Sequence, residues 1–270
     1  MIPKSKIKDR RRDESLEWYV VEGKRLEARR IPARASSRPP IVLLHEGLGS
    51  VSHWKNFPDR LAAETGSEIF VYSRYGHGRS SPLQEPRLIS YMHHEAEVVL
   101  PNLLEQASIR KPVLVGQSDG ASIAILFAAK FPSSAAALIL EAPHVFVENL
   151  TVESIAQART AYQNTDLPQK LSRYHDDADR TFWGWNDIWL TPQFRSWNIE
   201  SSLDSICCPV LVIQGKDDEY GTPKQLAAIQ ARIPASSVFL LSDCKHAPHR
   251  DQPNLTSQRI VAFLQSLPAE

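Results

Sequence analysis

Short apolar runs alternate along the chain with amphipathic stretches, the pattern of a parallel sheet covered by helices on both faces. The runs are Ile41 to Leu44, Ile69 to Tyr72, Pro112 to Val115, Ala135 to Leu140, Val210 to Ile213 and Val238 to Leu241. Upstream, Leu16 to Val21 and Arg25 to Ile31 flank Glu22-Gly23 and predict a hairpin, so the sheet is expected to begin antiparallel. The periodicity predicts helices over 52–65, 88–107, 119–131, 223–232 and 255–266, with Pro223 and Pro253 at or just before the last two starts. One region breaks the rhythm. From 145 to 205 no buried strand is signalled, while helix-like stretches carry Phe182, Trp183, Trp185, Trp189 and Trp197. The expected organisation is an α/β core in two parts, 1–144 and 206–270, interrupted by a helical insertion over 145–205 that sits on the sheet.

Charge and composition narrow the class. Lys and Arg number 31 and Asp and Glu 31, so no global field recruits nucleic acid or an anionic membrane. The first forty residues hold twelve basic and six acidic side chains, chiefly through Lys4, Lys6, Lys8, Arg10, Arg11 and Arg12, which predicts a solvated terminus. The most apolar region, Ala121 to Leu140, is broken by Lys130, Pro132, Ser133 and Ser134, short of the ~18 uninterrupted apolar residues of a membrane span. The basic start lacks a following apolar segment and contains Asp9, Asp13, Glu14 and Glu17, so a cytoplasmic location is expected. Three cysteines, with Cys207 and Cys208 adjacent, predict no disulfide framework.

The chemistry gathers where strands end. Only 11 glycines occur, and Gly47, Gly49, Gly76, Gly78, Gly116, Gly120 and Gly215 all fall just after predicted strands, the edge at which open α/β sheets bind ligands. Gly116-Gln-Ser118-Asp-Gly120 lies between a buried strand and a helix rich in Ala and Ile. Small residues on either side let the chain turn sharply and hold the Ser118 hydroxyl above the sheet. A serine is a weak nucleophile near neutral pH and needs a base oriented by an acid. Asp217, Asp218 and Glu219 follow the strand ending at Gly215, and His246 and His249 follow the next strand, giving the order Ser, Asp, His.

In this order and placement the chain resembles the α/β-hydrolase superfamily, from the hairpin to Ile260-Val-Ala-Phe-Leu264, with the helical cap where members commonly carry one, after the sixth strand. The resemblance implies Ser118 as nucleophile. It selects Asp218 over Asp217, since the acid usually stands three residues after the glycine, and His246 over His249, since the family's histidine precedes a small residue and Pro. Ile41-Val-Leu-Leu-His45-Glu46-Gly47 resembles the oxyanion segment, which implies the N–H groups of Gly47 and Asp119 as donors. Arg74-Tyr-Gly76-His-Gly78-Arg-Ser80 resembles the loop after the fourth strand, with Ser73 where an aspartate is usual. Carboxylates at 46 and 119 border a site that must stabilise negative charge, so each must point away, be paired or be protonated.

Rival readings are weaker. Gly47-Leu-Gly49 with Ser73-Arg74 resembles an NADP fingerprint but lacks the third glycine. His93-His94 and His246-x-x-His249 lack a metalloprotease arrangement, and no metal or cofactor is expected. Glu141 rivals Asp218 as the acid, because some members place it there. The aromatic insertion suggests a roof over an apolar or aromatic substrate, with Trp183, Trp185 and Trp189, and with Trp54 at the pocket edge, as candidate contacts. The expected activity is cofactor-independent hydrolysis of a small carboxylic ester, lactone or thioester. Carbon–carbon bond hydrolysis of a ring-cleavage product, or a non-catalytic receptor on the same fold, are the alternatives.

Overall fold

The computed structural model describes residues 16–34 and 38–267, so the basic cluster from Lys4 to Arg12 lies outside the described residues. Among the described residues eight strands form one sheet: β1 (Leu16–Val21), β2 (Lys24–Ile31), β3 (Ile41–Leu44), β4 (Ile69–Tyr72), β5 (Val113–Gln117), β6 (Ala137–Glu141), β7 (Val210–Gly215) and β8 (Ser237–Leu241). Their spatial order is β1-β2-β4-β3-β5-β6-β7-β8. β1 pairs antiparallel with β2 and β2 antiparallel with β4, and every later pairing is parallel.

Strand alternation sorts the central residues into two cores. Ile41, Leu43, Val113, Val115, Leu211 and Ile213 face a layer that includes Phe57, Leu61 and Ile260, from α1 (Phe57–Thr65) and α10 (Pro253–Ser266). Val42, Leu44, Leu114, Leu138 and Val212 face the opposite layer. That layer contains α2 (Tyr91–His94), α3 (Leu100–Gln106), α4 (Asp119–Lys130) and α8 (Lys224–Arg232). Both faces being covered, β3 to β7 are buried throughout, which is why they read as unbroken apolar runs.

Two expected helices are interrupted. The 52–65 stretch splits into a 3-10 turn (Ser52–Trp54) and α1, because Lys55 takes φ 54 between them. The long helix after β4 starts at Tyr91 rather than 88 and widens into a π turn over Glu95–Val99 before α3. Pro101 follows directly, and a wider turn spares its ring a clash with the carbonyl four residues back.

Between β6 and β7 lie α5 (Asn149–Asn164), α6 (Leu167–Leu171) and α7 (Ala178–Leu190), then two 3-10 turns. The Asp177 side chain caps α7 by accepting from Arg180 N–H at 3.0 Å. α7 is tied to the loop after β4: the Thr181 hydroxyl donates to the Gly76 carbonyl at 2.7 Å and Arg180 to that of Leu83 at 3.1 Å. The short α9 (Pro248–Asp251) completes the helices.

Candidate active site

β5 ends at Gln117 and α4 begins at Asp119, so Ser118 alone turns the chain, at φ 52 and ψ −117. This is the left-handed region, strained for any residue with a side chain. Its N–H donates to the Glu141 carbonyl at 2.9 Å and its carbonyl accepts from Ala121 N–H at 2.9 Å, which hold it there. A Cβ on Gly116 would lie 2.3 Å from the Gly120 carbonyl oxygen, and one on Gly120 1.9 Å from that of Leu44. The turn therefore closes only with glycine at both positions.

Asp218 and His246 meet at the ends of neighbouring strands, with His246 Nδ1 2.8 Å from Asp218 Oδ1. The carboxylate also accepts from Tyr220 N–H at 2.8 Å, Gly221 N–H at 3.2 Å and Gln214 Nε2 at 3.0 Å. Burial pushes the Asp218 pKa up, but the facing His246 imidazole and the Tyr220 N–H outweigh it and hold the pKa below the ordinary value. Burial likewise pushes His246 down, and the Asp218 charge overrides it, leaving His246 above 6.5. Gln117, immediately before Ser118, donates from Nε2 to the His246 carbonyl at 3.0 Å, fastening the histidine loop to the serine turn.

Glu141 and His249 form a second, separate pair at 2.7 Å, both buried, with the rings of Trp54 and Phe57 packed on the imidazole. Glu141 also accepts from His249 N–H at 3.2 Å. The two rivals left by the sequence are thus matched to each other, apart from Asp218 and His246.

The loop after β3 is clamped by imidazoles. The carbonyl of Glu46 contacts His45 Nδ1 at 2.7 Å, that of Gly47 contacts His77 Nε2 at 3.0 Å, and that of Leu48 contacts His175 Nε2 at 2.8 Å. Burial pushes the pKa of each of these histidines below 6.5, which favours neutral rings. The Arg74 N–H donates to His45 Nε2 at 3.0 Å, so the His45 proton sits on Nδ1, facing the Glu46 carbonyl. Both worrying carboxylates are paired. Glu46 takes His53 Nδ1 at 2.9 Å and the Leu48 N–H. Asp119 accepts from the Tyr91 hydroxyl at 2.7 Å and lies 3.6 Å from Arg74 Nη1. Ser73, in the usual aspartate position, donates to Glu27 of β2 at 2.7 Å, so a carboxylate reaches the same place from another strand. Ser73 and Arg74 are buried, which removes them from the nucleotide-phosphate role their sequence suggested.

The four candidate tryptophans divide. A Cβ on Gly47 would lie 2.2 Å from the Trp185 ring, so that indole rests directly on the glycine. Trp189 packs edge-on against His144 and donates from Nε1 to Tyr91 at 3.1 Å. Trp183 instead packs on Tyr162 and Phe182, with Arg159 over its ring, and Trp54 packs on Phe57 and His249. The ring partners of those two are thus neither Gly47 nor His246. Beside His246 the structure places His144, which no motif marks: its ring centroid is 5.6 Å from that of His246, and burial together with the His246 charge lowers its pKa to about 4. Its only sequence signal is a position three residues past β6, at the ligand-binding edge.

The model of the alpha/beta hydrolase family matches residues 41–259. The chain belongs to the alpha/beta hydrolase family. This hydrolase is 26% identical over 257 residues to a proline iminopeptidase of Lactobacillus helveticus (strain DPC 4571), an alignment covering 80% of the chain and 86% of that protein. It resembles the fold of MGS-M2, an alpha/beta hydrolase enzyme from a Medee basin deep-sea metagenome library, with TM-score 0.75 and 18% identity, covering 94% of this chain and 99% of that one. The enol-lactonase from Burkholderia xenovorans LB400 superposes with TM-score 0.74 and 20% identity, covering 93% of this hydrolase and 100% of the lactonase.

Proposed function

We propose that this hydrolase cleaves a small carboxylic ester, lactone or thioester with an apolar portion, through an acyl-enzyme on Ser118. The observation that carries the reading is the 2.8 Å Asp218–His246 pair, fastened through Gln117 to the turn that strains Ser118. Ser118 Oγ attacks the carbonyl carbon as His246 Nε2 takes its proton. Asp218 fixes the tautomer through Nδ1 and stabilises the imidazolium. The N–H groups of Gly47 and Asp119 receive the oxyanion. The protonated His246 then delivers its proton to the leaving group, and water activated by the same imidazole releases the acid. Residues 145–205 act as the cap, with Trp185 and Trp189 as the apolar wall.

The relatives named proline iminopeptidase raise a second reading, removal of an N-terminal proline. A substrate ammonium buried beside Ser118 would need an anion. Glu46, Asp119 and Glu148 are already engaged, by His53, by Tyr91 and Arg74, and by Thr222 and Gln225, which favours a neutral acyl substrate. Glu219, whose charge acts on His246, is the carboxylate on which the ammonium reading rests. A panel of p-nitrophenyl esters of increasing chain length, an enol-lactone, an acyl thioester, a ring-cleavage diketone and proline p-nitroanilide decides between them. The expected ranking places an ester, lactone or thioester at least ~10-fold above the anilide and the diketone in kcat/KM. Preference for proline p-nitroanilide would replace the proposal with the peptidase reading, and preference for the diketone would replace it with carbon–carbon bond hydrolysis.

A further inference from the structure

Arg74 is 2% exposed, yet no catalytic step described above uses it. Its Nη2 donates to the Glu46 carbonyl at 2.9 Å, alongside His45 Nδ1–H at 2.7 Å and the Gly49 N–H at 3.1 Å, and Arg74 is the one cation among these three donors. The Glu46 carbonyl and the Gly47 N–H belong to a single planar trans peptide and point in opposite directions. Holding the oxygen from the buried side therefore directs the Gly47 N–H away from the guanidinium, and donation by a cation polarises the unit, making that N–H a stronger donor. The other terminal nitrogen, Nη1, has no hydrogen-bond partner among the described residues and lies 3.6 Å from the Asp119 carboxylate. Asp119 supplies the second N–H of the candidate oxyanion hole. One buried cation thus touches both halves of it.

We propose that Arg74 is the positioning residue of the oxyanion hole: it orients and polarises the Glu46–Gly47 peptide and balances the Asp119 carboxylate that would otherwise oppose the developing negative charge. The proposal rests on the reading of Gly47 and Asp119 as oxyanion donors. Arg74 touches no reacting atom and acts through the Glu46–Gly47 peptide it holds and the Asp119 carboxylate it faces. The surrounding charges fit the role. Asp119, 3.6 Å from Nη1, exerts the largest pull of any charge on Arg74, ahead of Glu95, whose carboxylate accepts from the Tyr72 hydroxyl at 2.7 Å.

The test compares Arg74→Gln and Arg74→Lys with the wild type on a p-nitrophenyl ester and its thionoester. A thiocarbonyl sulfur is a weak hydrogen-bond acceptor, so discrimination against it reports on the oxyanion donors and not on general packing. Arg74→Gln is expected to lower kcat for the oxygen ester by ~10-fold or more with KM within about twofold, and to shrink the ester-to-thionoester ratio in parallel. Arg74→Lys, which keeps a charge and a single point of donation, is expected to fall between the two. Should Arg74→Gln not fold, the ratio in Arg74→Lys carries the same readout. A wild-type ratio in the folded variants overturns the proposal even if kcat falls. Failure of the underlying reading looks different: a fluorophosphonate would leave wild-type Ser118 unlabelled, whereas failure of this inference leaves labelling and ester turnover of the wild type intact.

Discussion

Replacing His144 by Phe removes a titrating ring while keeping an aromatic of similar size beside Trp189. In the native protein, burial and the neighbouring His246 charge lower the His144 pKa from 6.5 to about 4. The unfolded chain binds a proton on this residue near pH 6.5, whereas the native state does not until about pH 4, so falling pH favours unfolding across that window and has no effect above it. The full gap corresponds to about 3 kcal/mol, and about 2 kcal/mol of it is lost by pH 5, a sizeable share of the ~5–15 kcal/mol that stabilises a typical domain. Urea unfolding at pH 7.5 and pH 5 measures it. The wild type is expected to lose about 2 kcal/mol more than His144→Phe over that interval, and the comparison cancels the constant cost of the substitution. His45, His77 and His175, also lowered by burial, destabilise both proteins in the same direction, and His246, raised by Asp218, acts oppositely in both. Equal acid losses in the two proteins would refute the argument that His144 is neutral in the fold.

Three further outcomes are expected. Ser118→Ala should lower kcat by ~10³ or more, and Ser118→Gly, relieving φ 52, should unfold at higher urea than Ser118→Ala, by roughly 1 kcal/mol; equal midpoints would mean the turn is not strained. Because Asp218 holds the His246 pKa above 6.5 and the base must be neutral, kcat/KM should rise with pH through a midpoint above 6.5, and Asp218→Asn should cost ~10⁴ in kcat while Glu141→Gln costs far less; the reverse ranking reassigns the acid. Trp185→Ala, opening the space above Gly47, should change the kcat/KM ratio between an aromatic and a short aliphatic ester by ~10-fold, whereas Trp183→Ala should alter stability alone, and selectivity that follows Trp183 would misplace the pocket.

The sheet was legible because β3 to β7 are buried on both faces, so their composition alone marks them, and the serine turn was legible because glycines must flank it. The neighbours that decide each role were not. Trp54 and Trp183 look like Trp185 in sequence, and only the packing of Trp54 on His249 and of Trp183 on Tyr162 separates them. Glu141 and Asp218 both end strands at the same edge. Which histidine each meets depends on how Ala247 and Pro248, at the start of α9, swing His249 away from His246, a matter of geometry that spacing does not encode. Glu27 supplies the carboxylate missing at Ser73 from the neighbouring strand β2, a substitution invisible to a local motif. The interruptions at Lys55 and before Pro101 follow from single-residue backbone requirements that a periodic pattern averages away.

His175 lies between α6 and α7, yet its ring spans two loops of the core, accepting from Gly78 N–H at 2.9 Å and reaching the Leu48 carbonyl at 2.8 Å. The segment proposed as the cap is therefore also a brace for the loop proposed to supply the Gly47 donor. A chimera carrying another relative's helices between β6 and β7 would inherit a new pocket but leave the Leu48 carbonyl and the Gly78 N–H without their shared partner. Exchanging substrate range in this hydrolase by transplantation accordingly requires a histidine at the graft that matches position 175, so its specificity and its catalytic scaffold have to evolve together.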